Sequence, residues 1–272
     1  MIAAQKAQPE KLAEVAREIR RCVVRMIGEA GSGHPGGSLS IVELVTAMFF
    51  GGMRHDPTNP QWMDRDRFIL SKGHGCPTLY AVLAEAGYIS KESLMTLRKL
   101  GSPLQGHPDK RFLPILEAST GSLGQGLSIG IGMALAARLD GRPSLTYVLL
   151  GDGEIQEGQI WEAAAFAGHH KLDTLIAIVD YNKIQLDGFL KDILNMEPMA
   201  AKWKAFGWET REIDGHDFDQ IFQAIKPVSG RPLAVIAHTI KGKGVSFMEN
   251  NPEFHGVAPT RDELEKALAE LA

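Results

Sequence analysis

Apolar residues at the start of the chain recur at helical intervals. Leu12, Val15, Ile19, Val23, Met26 and Ile27 make one stripe, which predicts a helix over residues 9–29. The stretch GEAGSGHPGGSLS (28–40) has no such period, and its glycines and proline read as a loop. Helical patterning returns over 39–50, 76–86 and 90–100. Between these, RFILSKGHG (67–75) reads as a short buried strand running into a Gly-flanked loop, and GSPLQGHPDKRFLP (101–114) as another loop. STGSLGQGLSIGIGMALAARL (119–139) opens as a glycine-rich loop and becomes a helix with small residues spaced for close packing.

From there the pattern turns regular. Strands are expected at 144–150, 174–182, 208–214 and 232–238, and helices at 155–170, 196–206, 217–226 and 260–271. The central strands are continuous apolar runs rather than alternating ones. That is the mark of a parallel β-sheet with helices on both faces, an α/β fold. No repeat, low-complexity tract or strong linker interrupts it, so one domain over 1–272 is expected. Ligands in such folds sit at the carboxyl ends of the strands. The loops beyond those ends hold His74, Asp152, Asn182 and, further on, His255.

Composition narrows the partners. The 272 residues are 44% hydrophobic and 23% charged, with a net charge of −4. That balance gives no electrostatic case for nucleic acid or an anionic membrane as the main partner. No apolar run reaches the roughly 18–20 residues of a membrane helix. The N-terminal MIAAQKAQPEKLAEVAREIRR is a charged amphipathic pattern without a secretory core. Two cysteines, Cys22 and Cys76, without CxxC spacing point to a reducing, cytoplasmic compartment.

The chemistry concentrates in LLGDGEIQEGQIWEA (149–163), an apolar strand ending in Gly151-Asp152-Gly153 and followed by Glu157 and Glu162. A helix starting there would offer free N–H groups to an anion. Carboxylates beside an anion site demand a cation between them. Gly-Asp-Gly alone would equally serve as a strand-to-helix turn with an Asp cap. Asn182, thirty positions after Asp152, ends the next strand, and in a right-handed βαβ unit the two strand ends lie side by side. Two hard oxygen ligands suit Mg²⁺ or Ca²⁺, and Mg²⁺ completes its shell with phosphate oxygens and water.

Gly-Asp-Gly, a gap, then Asn resembles the thiamine diphosphate-binding motif, with Tyr181 standing where the motif has its first Asn. SGHPGGSLS, LSKGHG, GHPD, STGSLGQGLSIGIGMA, GDGEIQEGQIWEA, NKIQLDG and FHG then match transketolases in order, over about residues 32–256. Gly121-Ser122-Leu123-Gly124 stands where that family often has Gly-Pro-Leu-Gly. The resemblance implies the diphosphate-binding (PP) domain of the thiamine diphosphate-binding fold. It implies metal binding by Asp152, Asn182 and the Ile184 carbonyl, with Mg²⁺ as the ion and Ca²⁺ or Mn²⁺ as substitutes. It puts Gly153, His74 and His255 on the diphosphate and Gly121, Leu123 and Leu186 along the cofactor. His34 and His107 would contact ketose hydroxyls and assist proton transfer, which suits imidazole near neutral pH.

The resemblance also implies an absent half. The glutamate that activates the aminopyrimidine ring, and the basic residues gripping the sugar phosphate, belong in transketolases to a pyrimidine-binding domain. The expectation is therefore the N-terminal subunit of a split transketolase, with a C-terminal partner subunit, self-association to α2β2 and sugar phosphates as substrates. Glu157 and Glu162 would face the subunit interface. Five residues apart, they would diverge by about 140° on a helix, and Glu157 is the better candidate for contact with the partner's glutamate, while Glu162 stays near the cofactor. The segment 241–256 would order over the cofactor.

Other readings carry less. GLSIG (126–130) fits a hydrolase elbow, but Ser128 falls inside a helical pattern rather than at a strand-to-helix turn. No phosphate-binding GxxxxGK[ST] is present. The α subunit of a 2-oxo acid dehydrogenase-type enzyme shares the metal motif but lacks SGHPGG and GHPD. A non-catalytic cofactor-binding subunit would leave four His positions without purpose. His55, His169, His170, His216 and His238 read as solvated surface residues.

Overall fold

In the computed structural model, which describes residues 9–186 and 188–272, the five expected strands form one parallel sheet. They are β1 (Arg67–Leu70), β2 (Thr146–Gly151), β3 (Leu175–Tyr181), β6 (Glu209–Asp214) and β7 (Leu233–His238), in spatial order β1-β2-β3-β7-β6. A two-stranded hairpin not anticipated from the pattern, β4 (Ile184–Gln185) and β5 (Gly188–Phe189), follows β3. The amphipathic pattern of residues 1–8, and Asp187 in the NKIQLDG stretch, lie outside the described residues.

The continuous apolar runs are explained by burial on both faces. Leu149, Ile176, Ile178 and Val235 face a core layer built by α1 (Pro9–Ala30), α3 (Val42–Ala47), α4 (Cys76–Glu85), α9 (Phe218–Ala224) and α10 (Arg261–Glu270). Their strand neighbours Val148, Leu150, Ala177, Val179 and Ile236 face the other layer, from α5 (Gln125–Leu139), α6 (Gly158–His169) and α8 (Met199–Ala205). Each such side chain contributes about 1.5–3 kcal/mol when fully buried. On α1 the predicted stripe is inside: Leu12, Ile19, Val23, Met26 and Ile27 are buried and Val15 is packed at the margin. Thr260 caps α10 with a reciprocal bond to Glu263.

Three helix expectations need correction. The helix expected over 39–50 starts earlier, as α2 (Pro35–Leu39), inside the stretch read as loop. Pro35 occupies its first turn, where a missing N–H costs nothing. The chain then bends at Ile41 (φ −102°, ψ 8°) before α3 and a wider turn over Met48–Gly52. The helix expected over 90–100 is a single 3₁₀ turn, Glu92–Thr96, because Arg98 leaves the helical region at φ 60° and its N–H turns back to Leu104 O. The helix expected from residue 155 begins at Gly158, after a 3₁₀ turn over Glu154–Gln156. A short helix, α7 (Leu190–Ile193), also had no periodic signature.

Behind the sheet, α6 and α8 meet at very close range. A Cβ on Gly168 would lie 1.8 Å from the Phe206 carbonyl oxygen. The approach is backed by Trp208, whose indole N–H donates to Ala164 O at 2.9 Å, and by the Trp203–Trp208 edge contact. Gly168→Ala is expected to destabilise the protein by about 1–3 kcal/mol through overpacking; chemical denaturation followed by tryptophan fluorescence measures it.

Candidate active site

Four adjacent strands deliver polar groups to one place. β1 runs into Ser71 and Lys72 and then a tight turn, Gly73–Gly75, that carries His74. β2 ends at Gly151 and hands on Asp152; β3 carries Asp180 near its end and Asn182 just beyond; β7 leads to Thr239 and Lys241. Gly151 pairs with Asp180 across β2 and β3, so the expected adjacency of the Asp152 and Asn182 loops holds.

At the centre is a fully buried ion pair, Lys72 Nζ to Asp180 Oδ2 at 2.5 Å. Burial opposes ionisation of Asp180, but Lys72 and hydrogen bonds from Thr239 and Ser40 outweigh it and hold the carboxyl below its usual value. Asn182 Nδ2 also donates to Asp180 (2.9 Å), which turns the Asn182 oxygen away from that carboxylate. Lys72 also bonds Gly37 O at 2.9 Å, joining α2 to the strand ends. A second buried carboxylate, Glu154, accepts from Ser71 Oγ, Gly124 N–H and Gly151 N–H, and so ties the loops after β1 and before α5 to the end of β2.

Around these groups lies a cavity of about 440 Å³. His34, His74, His107, His255, Gly121, Leu123, Asp152, Gly153, Glu157, Asn182, Ile184 and Leu186 all line it. Glu162 does not; it is exposed on α6. Glu157 stands in extended conformation at the cap of α6, ahead of the helix, so the helical angle between the two glutamates has no bearing on where they point. Ser128 lies within α5, as its pattern indicated.

The four imidazoles form a chain of contacts. Ring centroids are 5.4 Å apart for His74–His255, 5.3 Å for His34–His74, 5.6 Å for His34–His255 and 6.0 Å for His34–His107. Burial comes first in pushing all four below the ordinary histidine range, helped by nearby cations. His34 falls to about 4, with Arg98 next in effect, and His255 to about 3, with Lys241 next. His74 is pushed well down, with Lys72 next, and His107 is lowered, with Arg98 next. All four are neutral at pH 7, so each offers one acceptor nitrogen and one N–H. His34 Nδ1 is buried without a partner in the protein, a nitrogen left for a ligand.

The Asp152 end of the cavity has its own field. Burial, then Asp180, raises the Asp152 carboxyl to about 7. A buried carboxylate facing another carboxylate needs a cation. Among the described residues no group of three or more His, Cys, Asp or Glu is placed to hold a metal ion by itself. The oxygens at hand are Asp152, Asn182 Oδ1 and Ile184 O, a hard donor set too small to enclose an ion without phosphate and water. The positive charge for an anion comes from Lys72 and Lys241 rather than from a helix N-terminus, since α6 begins beyond Glu157. Gly153 N–H itself donates to Asp152 Oδ1 at 2.8 Å. Lys241, buried and pushed down to about 8 by burial and by Lys72, bonds Ile184 O at 2.9 Å and His255 Nδ1 at 2.8 Å.

Lys72, Lys241, Asp180 and Glu154 were missed in the sequence. Their signals were a lysine closing a buried strand (RFILSK), a lysine in a glycine-rich turn (IKGKG) and carboxylates flanking the motif residues. The reading of His216 and His55 as solvated is also corrected. His55 bonds Tyr88 OH and Phe49 O. His216 Nδ1 bonds Glu43 at 2.9 Å, and its Nε2 accepts from Ile240 N–H at 2.9 Å. Arg20 pairs with the same Glu43 and donates to Lys243 O at 3.0 Å. This buried trio grips the chain on both sides of Lys241. The segment 241–256 is docked further by the fully buried Val245 and Met248.

The sequence matches the transketolase thiamine diphosphate-binding domain family over residues 12–271. The chain belongs to the transketolase family. It is 49% identical over 259 residues to the 6-deoxy-6-sulfo-D-fructose transketolase subunit SqwG of Clostridium sp. (strain MSTE9), covering 94% of each chain. It is 44% identical to an apulose-4-phosphate transketolase subunit of Actinobacillus succinogenes, covering 96% of each. Human transketolase is 38% identical, with 96% of this chain covering 42% of that protein. The crystal structure of Campylobacter jejuni transketolase superposes with a TM-score of 0.92 at 34% identity, over 97% of this chain and 43% of that one. The parallel sheet described above is thus the thiamine diphosphate-binding part of the transketolase fold. Among the described residues no helix is long and apolar enough to cross a membrane.

For this transketolase domain, Asp152→Asn is expected to remove the divalent-cation dependence of thiamine diphosphate binding. Lys241→Met should weaken that binding roughly 10–100-fold, the worth of one charge-assisted hydrogen bond. Isothermal titration calorimetry with and without Mg²⁺ tests both.

Proposed function

We propose that this chain is the diphosphate-binding subunit of a two-chain transketolase, moving a two-carbon glycolaldehyde unit from a ketose phosphate to an aldose phosphate. The observation carrying this reading is the pairing, in one cavity, of an oxygen-rich, lysine-flanked end with a chain of four neutral imidazoles. It is supported by the near-complete coverage of relatives named as transketolase subunits. We read the whole chain as one thiamine diphosphate-binding domain.

Asp152, Asn182 Oδ1 and Ile184 O would hold Mg²⁺, with Ca²⁺ or Mn²⁺ as substitutes. Lys72, Lys241, His74, His255 and Gly153 would meet the diphosphate, and Gly121, Leu123 and Leu186 would lie along the cofactor. When bound, thiamine diphosphate supplies the electron sink that cleavage of a bond beside a carbonyl requires. The chain's own part is proton handling. His34 and His107, neutral and partly desolvated, accept a hydroxyl proton and return it. His74 and His255 keep water out of the space between them and the diphosphate end. Glu157, at the cavity rim, faces the C-terminal partner, sharing a proton with its activating glutamate. That partner also supplies the phosphate clamp, and two copies of each chain make an α2β2 assembly. Cys22 and Cys76, both free, fit a cytoplasmic setting.

Mixing the chain with its pyrimidine-binding partner, and assaying glycolaldehyde transfer between sugar phosphates, tests the reading. Activity is expected in the mixture and in neither chain alone; turnover by this chain alone would overturn it. In the mixture, His34→Ala should lower kcat about 10²–10⁴-fold, the usual worth of positioned acid–base catalysis.

A further inference from the structure

Tyr181 stands where the thiamine diphosphate-binding motif has its first Asn, directly before Asn182. It is buried at the end of β3, and its hydroxyl reaches out of the sheet to donate to Glu197 Oε1. The ring is held as well: the Lys183 ammonium lies 5.2 Å from its centroid, and the His238 ring lies 5.3 Å away. An Asn side chain ends well short of a tyrosine hydroxyl, so the motif's usual residue would not reach Glu197. Glu197 is itself anchored. Its Oε2 accepts from Met199 N–H at 3.0 Å, at the start of α8, and its carbonyl oxygen accepts from Lys202 Nζ at 3.1 Å. The Tyr181 hydroxyl comes first among the causes that hold the Glu197 carboxyl below its usual value, so the bond runs to a carboxylate, the stronger kind.

The chain between these residues leaves Tyr181 and returns to it. On the outgoing side, Lys183 has φ 67°, its N–H donates to Asp152, and its carbonyl oxygen accepts from Leu190 N–H at 2.9 Å. On the returning side, Gln156 Nε2 donates to Leu194 O at 3.0 Å, and Glu197 meets the Tyr181 hydroxyl. Among the described residues of 185–197 only Leu190 and Met196 are buried. A segment with so little buried surface opens at low free energy, and its few anchors decide where it sits. This segment carries Gln185 and Leu186, which line the cavity; Tyr181 and Glu197 do not line it.

We propose that Tyr181 is a positioning residue for cofactor binding: its bond to Glu197 sets the segment after β3 so that Gln185 and Leu186 stand as one wall of the cavity before the cofactor arrives. This rests on the thiamine diphosphate reading above and adds a residue that acts on the cofactor only through the segment it fastens. Without the bond the segment is ordered at the moment of binding, and that entropy is subtracted from the affinity.

The test uses the assembled two-chain enzyme with Mg²⁺ and thiamine diphosphate, carrying Tyr181→Phe and Glu197→Ala, alone and together. Each single variant should bind thiamine diphosphate about tenfold more weakly by calorimetry, near the worth of one hydrogen bond to a charged group. The double variant should lose no more than either single one, since both remove the same bond. Glu197→Gln, which keeps an acceptor oxygen, should fall between. In the cofactor-free pair, hydrogen exchange should rise in Y181F over 184–197 and stay unchanged in β2 and β3. Affinity in Y181F within twofold of wild type, losses that multiply in the double variant, or faster exchange throughout the sheet would each overturn the positioning role. A wild-type pair that binds no thiamine diphosphate would instead overturn the reading on which that role rests.

Discussion

The site depends on a single buried ion pair. Asp180 and Lys72, both out of solvent at the carboxyl ends of β3 and β1, meet across the end of β2. A buried carboxylate without a partner is strongly destabilising, so every segment that feeds Asp180 a hydrogen bond is held in place by that need. Ser40 comes from the turn after α2, Thr239 from beyond β7, Asn182 from beyond β3, and Lys72 reaches back to Gly37. The loops that carry His34, His74, Asn182 and Lys241 are thus fixed relative to one another by one charge.

The same charges that stabilise this hub set the chemistry around it. Lys72 and Lys241 sit in low dielectric near Asp152 and Asp180, so the cavity floor holds opposed charges at close range. That is a field for a divalent cation and a polyanion together, and for neither alone. Further out, burial first and neighbouring positive charge after it keep four crowded imidazoles neutral. Neutral rings can pack at 5–6 Å without repulsion and can still accept a proton from a substrate hydroxyl. Under the proposed function, cofactor binding and proton handling would be two results of one charge arrangement. The Arg20–Glu43–His216 trio extends it into the core, holding the Lys241 turn from behind.

Much of this was legible along the chain. Apolar runs marked the inner strands because a parallel sheet is covered on both faces, and burial on both faces leaves no polar alternation, whereas the edge strand β6 is the polar ETREID. Asp152 and Asn182 could be paired because a right-handed crossover places consecutive strand ends together. Gly-rich stretches with His marked the loops over those ends. What failed did so for local or distant reasons. The helix expected at 90–100 had the right period, but Arg98 breaks it with a left-handed residue held by Leu104 and Gly106. Pro35 starts a helix inside a glycine-rich stretch because its missing N–H is harmless in a first turn. Glu162 is not among these: expected at the subunit interface, it is exposed on α6, outside the cavity of this chain.

The sequence by itself determined the layered α/β architecture, the strand-end location of the site and many of the residues that line it, because periodicity and chain connectivity are local facts. Only the tertiary structure decided which charges are paired and which are left open. Lys72 and Asp180 are 108 positions apart, Arg20 and Lys243 are 223 apart, and no pattern along the chain announces either contact. Protonation states followed from those contacts, since burial and neighbouring charge act through space. The Arg98 guanidinium is of the same kind: an arginine is ordinary in sequence until the fold bonds it to Ser32 and Gly106, next to two neutral histidines and, among the described residues, without a carboxylate.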